Sequence, residues 1–155
     1  MSAGDTGGVL LDVNLLVALF DPDHVHHDLA HDWFEDNHQR GWATCPVTEN
    51  GFVRVIANPK YPGGAERAGL LVNRLQAFCR NRHHRFWADS VSLTDPAMFD
   101  TAFLRGHAQV TDVCLLGLAK KMNGRLGSLD RSVPWKAIVG AGADLVEVIA
   151  PASSP

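Results

Sequence analysis

The chain reads as an α/β protein built on a parallel sheet that is covered on both faces. Three observations lead there. Short apolar runs of strand length recur along the 155 residues, and stretches with helical spacing of apolar residues stand between them. Runs such as VLLD and RLGSLD are nearly continuous in apolar or small residues, as strands buried on both faces are. The length is that of one ordinary domain able to bury a real core, with charged and apolar fractions typical of soluble globular proteins.

Each element has its own signal. Val9–Asp12 is a short buried strand. Asn14–Phe20 is a short helix stopped before Pro22, with Asn14 placed to cap it. Asp28–Asn37 carries Leu29, Ala30, Trp33 and Phe34 at helical spacing. Trp42–Cys45 is a second strand, ended by Pro46. Thr48–Ala57 is a helix with Thr48 as N-cap, stopping before Asn58-Pro59. PKYPGG is a turn, and Ala65–Arg82 is a long amphipathic helix with Leu71, Leu75 and Phe78 on one side. Arg85–Trp87 is a third strand and Pro96–Leu104 a helix. Thr111–Met122 is a helix with Thr111 as N-cap, ended by Asn123-Gly124. Arg125–Leu129 and Leu145–Ile149 complete the strands. Residues 1–8 and 150–155 read as flexible tails of a single domain.

Four acids stand in apolar or helix-starting contexts: Asp12, Glu49, Asp112 and Asp130. A carboxylate that ends an apolar run is costly to desolvate unless its charge is compensated. In an open parallel sheet, ligands bind beyond the carboxyl ends of the strands where the winding reverses. Asp12 and Asp130 end two strands, and Glu49 and Asp112 begin helices on the same edge. All four are therefore expected on one rim, where a hard divalent cation would neutralise them. Each also has a plain structural reading. Glu49 and Asp112 in a first helical turn gain ~0.3–1 kcal/mol from the helix dipole, and Asp130 before Arg131-Ser132 can open a turn. Asn14 and Thr111 can cap helices, orient the neighbouring carboxylates, or do both.

Charge is segregated along the chain. Arg54, Lys60, Arg67, Arg74, Arg80, Arg82 and Arg85 face the single acid Glu66, whereas Asp21–Asp36 holds six acids and no Lys or Arg. The net charge of −3 argues against a general nucleic-acid binder, yet the basic stretch could track phosphates or form a solvated helix face. The three cysteines lack CxxC spacing and read as small buried hydrophobes. No run is long enough to span a bilayer, and MSAGDTGG lacks a basic leader region, so a cytoplasmic location is expected. His27 and His31 have the spacing of a zinc-binding helix, which keeps open a zinc hydrolase, although no third ligand is marked. Glycine-rich phosphate loops and nucleophile elbows are absent.

The ordered motifs DVN, TENGFVRVIANPKY, QVTDVCLLGLAKKMNGRLGSLDRSV and AGADLVEVI resemble the PIN-domain ribonucleases, and among them the VapC toxins of toxin–antitoxin pairs. The resemblance runs from about Val9 to Ile149. It implies a three-layer α/β/α PIN-like domain with a central five-stranded parallel sheet. It further implies a homodimer, a cognate VapB-like antitoxin, and an endoribonuclease that uses Mg²⁺ or Mn²⁺ to hydrolyse RNA phosphodiesters with a metal-activated water. The acidic quartet of the family falls on Asp12, Glu49, Asp112 and Asp130, which would be both metal ligands and catalytic residues. Asn14 and Thr111 would support them, and Arg54, Arg67 and Arg74 would contact RNA phosphates. The alternative is a module that keeps the fold and binds a partner without chemistry.

Overall fold

The computed structural model describes residues 7–64 and 66–151. Its strands are β1 (Val9–Leu11), β2 (Trp42–Thr44), β3 (His84–Phe86), β4 (Arg125–Ser128) and β5 (Val146–Val148). Its α-helices are α1 (Val13–Phe20), α2 (His27–Asn37), α3 (Pro46–Ile56), α4 (Ala68–Phe78) and α5 (Val110–Lys121). The five strands form one sheet in the order β3-β2-β1-β4-β5, and every pair is parallel. Among the described residues no helix is long and apolar enough to cross a membrane.

Strand periodicity sorts the core into two layers. Val9 and Leu11 of β1 pack with Leu15 of α1, Phe52 of α3 and Leu71 of α4. Leu10, pointing the other way, packs with Leu115 and Leu116 of α5. The sheet thus lies between α1–α4 on one side and α5 on the other. The chain winds outward from β1 to β2 to β3, then returns across β1 to form β4 on its other side. The winding reverses between β1 and β4, whose registers pair Leu11 with Gly127. Asp12 and the end of β4 are therefore neighbours at the switch point. On the same rim, α1 and α3 approach closely because residue 51 is glycine. A Cβ there would lie 2.6 Å from Val13 Cγ2.

Several local expectations are corrected. Pro96–Leu104 is not an α-helix; only a 3₁₀ turn forms over Thr101–Phe103. Phe99 instead makes an antiparallel bridge with Ile138, and Asp100 N–H donates to Ala137 O, so tertiary pairing overrides the local helical pattern. The helix expected over 65–82 begins at Ala68, and Ala65 lies outside the described residues. It ends at Phe78 because Asn81 Oδ1 organises the next turn, accepting from His83 N–H at 2.8 Å and Trp42 Nε1–H at 3.3 Å.

The caps also move. Asp12, not Asn14, caps α1, its Oδ1 accepting from Val13 N–H at 2.8 Å. Cys45 precedes α3 and Pro46 opens it; Thr48 lies within the first turn and binds back to Cys45 N–H and O. A 3₁₀ turn at His107–Gln109 leads into α5, so Thr111 is already helical. Of the expected tails, 1–6 and 152–155 lie outside the described residues. Gly7 and Gly8 are pinned: Gly7 N–H donates to Met122 O and Gly8 O accepts from Arg125 N–H, each at 3.0 Å.

Candidate functional site

The carboxyl ends of β1 and β4 build the site. Asp12 is 5% exposed and Ser128 fully buried. Ser128 Oγ donates to Asp12 Oδ2 at 2.7 Å. The same oxygen accepts from Asn14 Nδ2 at 3.2 Å and from Asp130 N–H at 3.1 Å. Asn14 Oδ1 in turn accepts from Leu129 N–H at 3.2 Å. One hydroxyl thus links the end of β1, the first turn of α1 and the turn after β4, and it fixes the direction of the Asp12 carboxylate.

Asp112, in the first turn of α5, faces this group from the other layer. Burial raises its pKa to about 6, helped by repulsion from Asp12 and Asp130. Burial likewise raises Asp12, although the Ser128 and Val13 hydrogen bonds oppose it; Asp130 adds to the rise. Asp130 Oδ1 accepts from Ser132 N–H at 2.8 Å and Ser132 Oγ–H at 2.7 Å, so the expected turn forms and leaves the second oxygen outside it. Among the described residues, none of the three carboxylates lies in an ion pair. Three mutually repelling acids without a cation fit a hard divalent ion. Their ligand oxygens do not all come within 4.8 Å of one another.

Glu49 shares the rim but is turned aside. Its Oε2 accepts from Thr44 Oγ1 at 2.8 Å, and His84 Nε2 lies 2.8 Å from the same hydroxyl. It lines a groove between α3 and α4 with Arg54, Val53, Val72 and Leu75. A shallow channel bordered by Pro46, Asn50, Arg54, Thr111 and Val13 shares Pro46, Asn50 and Arg54 with that groove, and Val13 and Thr111 with the cleft that Asp12 borders. Asn50 was not marked by sequence reasoning; its only signal is its place after Glu49.

The main cleft beside the carboxylates has a volume of about 690 Å³, and Asp12, Asn14, Thr111, Asp112, His24 and Tyr61 border it. Asn14 and Thr111 thus border the same cleft as Asp12 and Asp112. The arginines divide. Arg54 is exposed at the channel and groove, and Arg67 is exposed at the start of α4. Arg74 is occupied: it pairs with Glu66 at 2.7 Å, donates to Phe20 O and lies over the Phe20 ring.

His27 and His31 are adjacent on α2, with ring centroids 5.8 Å apart. His27 Nδ1 lies 2.7 Å from Ala18 O, so a proton on that nitrogen is held by the carbonyl. Neither histidine borders the carboxylate cleft. The one group of three or more ligand side chains close enough to share an ion, among the described residues, is His31, Asp32 and Glu35, all exposed.

No protein-family model matches the chain. Ribonuclease VapC44 of Mycobacterium tuberculosis is 43% identical over 132 residues, covering 85% of this chain and 92% of that protein. Ribonuclease VapC38 of the same organism is 46% identical over 80% of this chain and 86% of its own length. Ribonuclease VapC39, also from that organism, is 38% identical over 90% and 98%. The crystal structure of Mycobacterium tuberculosis VapC20, described as a Sarcin-Ricin loop cleaving toxin, superposes with a TM-score of 0.61 at 11% identity, covering 86% of this chain and 98% of that one, and so shares its fold. With identities of this size over most of both chains, the protein belongs to the PIN-domain family of VapC ribonucleases.

Proposed function

We propose that the protein is the toxin of a toxin–antitoxin pair and acts as a Mg²⁺- or Mn²⁺-dependent endoribonuclease. The observation that carries this reading is the trio Asp12, Asp112 and Asp130, uncompensated at the switch point of a fold whose relatives are named ribonucleases. Asp12 and Asp112 would hold the ion directly. Asp130 and, across the channel, Glu49 would reach it through water or a second ion. Bound there, the ion supplies charge neutralisation for the phosphodiester and favours ionisation of a water.

The chain's own residues do the rest. Ser128 and the Val13 N–H keep Asp12 in one orientation. The Asp130 oxygen outside the Ser132 turn accepts the proton of the attacking water. Water oxygen bonds to phosphorus, the bond from phosphorus to the 3′ oxygen breaks, and that oxygen takes a proton from solvent to leave as a hydroxyl, while Asp130 returns its proton to solvent. Products carry 5′-phosphate and 3′-hydroxyl ends. The exposed Arg54, at the channel, and Arg67, at the start of α4, would contact RNA phosphates, and Arg74 acts by holding α4 to Phe20.

The partners follow from the same family membership: RNA in the cytoplasm, a VapB-like antitoxin, and a second copy of the chain. Leu70 and Val72 on α4, each about half exposed at 52% and 51%, offer apolar surface for such association. The deciding experiment maps fragment ends in total RNA treated with wild type and Asp112→Asn, each with Mg²⁺ and with chelator. Cleavage by wild type with Mg²⁺ alone, leaving 3′-hydroxyl ends, is expected. Fragments ending in 2′,3′-cyclic phosphate, or an Asp112→Asn variant as active as wild type, would sink the mechanism. A folded wild type that cuts no RNA would favour the non-catalytic binding module.

A further inference from the structure

One wall of the carboxylate cleft has no part in holding an ion or moving a proton. It is made by two loops, the turn from Asp21 to Val25 before α2 and the turn Tyr61-Pro62-Gly63 before α4. They are fastened together, because Tyr61 Oη donates to Asp21 Oδ2. That bond keeps the Asp21 carboxyl below its ordinary pKa and leaves the tyrosine only its ring to offer a ligand. Asp21 also accepts from Asp23 N–H at 2.9 Å and, through its carbonyl, from His24 N–H at 3.0 Å, which gives the turn its shape.

Within that turn His24 has a defined tautomer. Its Nδ1 accepts from His26 N–H at 3.0 Å, so Nδ1 carries the lone pair and Nε2 carries the proton. Burial lowers the pKa of the ring below the usual histidine value, and His26 adds to the effect. Beside this donor the wall carries the exposed Asp23 on one side and two valines on the other. Val25 is 86% exposed and Val55, from α3, 40%. Bare valines at the lip of an acidic cleft are poor neighbours for a phosphate. They suit the flat face of a base, as RNA-binding sites that stack unpaired bases do. An occupant with a phosphate at the carboxylate end and a planar apolar body at the other is a nucleotide of an unpaired RNA strand.

We propose that His24, Val25 and Tyr61 form a base-reading subsite beside the scissile phosphate, in which Val25 and the Tyr61 ring pack against one flanking base and His24 Nε2–H donates to an acceptor on its edge. The subsite rests on the ribonuclease reading above and adds to it the residues that select where RNA is cut. A base lacking an acceptor at that edge leaves the donor unpaired and is disfavoured.

The test is the base distribution around cleaved bonds in total RNA, sequenced from fragment ends, for wild type, Val25→Ser, His24→Leu and His24→Asn. Val25 is so exposed that its change leaves the fold intact. Wild type should show a preference at one position flanking the cut. In His24→Leu that preference should fall about fivefold to tenfold, the size of one lost hydrogen bond. His24→Asn, which keeps both an acceptor for His26 N–H and a donor, should restore most of it, and Val25→Ser should weaken it. Damage to folding would lower all sites alike and leave the distribution unchanged. Wild-type cleavage without a flanking preference, or variants with the wild-type distribution, overturns the subsite. Absence of any wild-type cleavage overturns the ribonuclease reading instead.

Discussion

Asp112 illustrates how a single side chain couples the site to stability. Its carboxyl titrates near 6 in the folded protein against 3.8 for the free group, because burial and two neighbouring carboxylates oppose its charge. The folded state therefore binds more protons between those values than the unfolded state does. The corresponding stability is fully present below about pH 4 and is lost as pH rises through about 6. Metal-free wild type should melt lower at pH 7.5 than at pH 5 for this reason, and Asp112→Asn should flatten that dependence; thermal melts in chelator read both. Added Mg²⁺ should raise the wild-type Tm at pH 7.5 and leave Asp112→Asn nearly unmoved. Ser128 makes a second case. Its hydroxyl serves Asp12, Asn14 and Asp130 at once from a fully buried position. Ser128→Ala should cost roughly 1–3 kcal/mol in urea unfolding, since buried polar partners lose their bond. It should also weaken Mg²⁺ binding, measured by titration calorimetry.

The elements show what a sequence can and cannot disclose. β1, β2 and β4 were legible because each is a short run of apolar or small residues with a plain stop, whereas β3, with the sequence His-Arg-Phe, and β5 lie at the sheet edges and are partly exposed. The α-helices with strong apolar spacing were legible too. Phe99 was not, since its pairing with Ile138 lies 39 residues away in sequence and no local pattern announces it. Caps shifted by two or three residues for a related reason: Asp12 serves as strand end and helix cap together, so the acid that looked spare had a local role. Of the quartet, three acids meet. The direction of Glu49 depends on Thr44 and His84, contributed by two other strands. His24 and Tyr61 sit in loops, where sequence carries no periodicity. Helix packing at the site can be probed through Gly51, where Val13 leaves no room for a side chain. Gly51→Val should push α3 from α1 and destabilise by about 1–3 kcal/mol. Chemical denaturation would check it, with unchanged stability arguing against the close approach.

At the scale of the molecule, the charge pattern is not a uniform field. The carboxylate end and the acidic α2 lie on a chain of net charge −3, while Arg54 at the groove and Arg67 at the start of α4 stay exposed. RNA should therefore be attracted through a few local phosphate contacts. Cleavage at subsaturating RNA should fall as KCl rises, with a shallow log–log slope of about −0.7 to −1.4 for one or two contacts on a single strand. Arg54→Glu should weaken RNA binding more than Arg74→Glu of equal charge change, read by fluorescence anisotropy in chelator. Arg74→Glu should instead lower the Tm through loss of its bond to Phe20 O.

The hydroxyl that joins Asp12 to Ser128 bridges 116 positions of the chain. The first three strands can be synthesised, and can pair with each other, while Asp12 still lacks the neighbours that orient it. Asp112 and Asp130 reach it only when α5 and β4 have been made and the returning crossover has docked. Long-range closure of this kind comes late in folding. With the cutting centre proposed above, a half-made polypeptide still held by the translating ribosome, among the RNAs of that machine, would be a harmless one, because its three acids come together only as the last third of the protein is delivered.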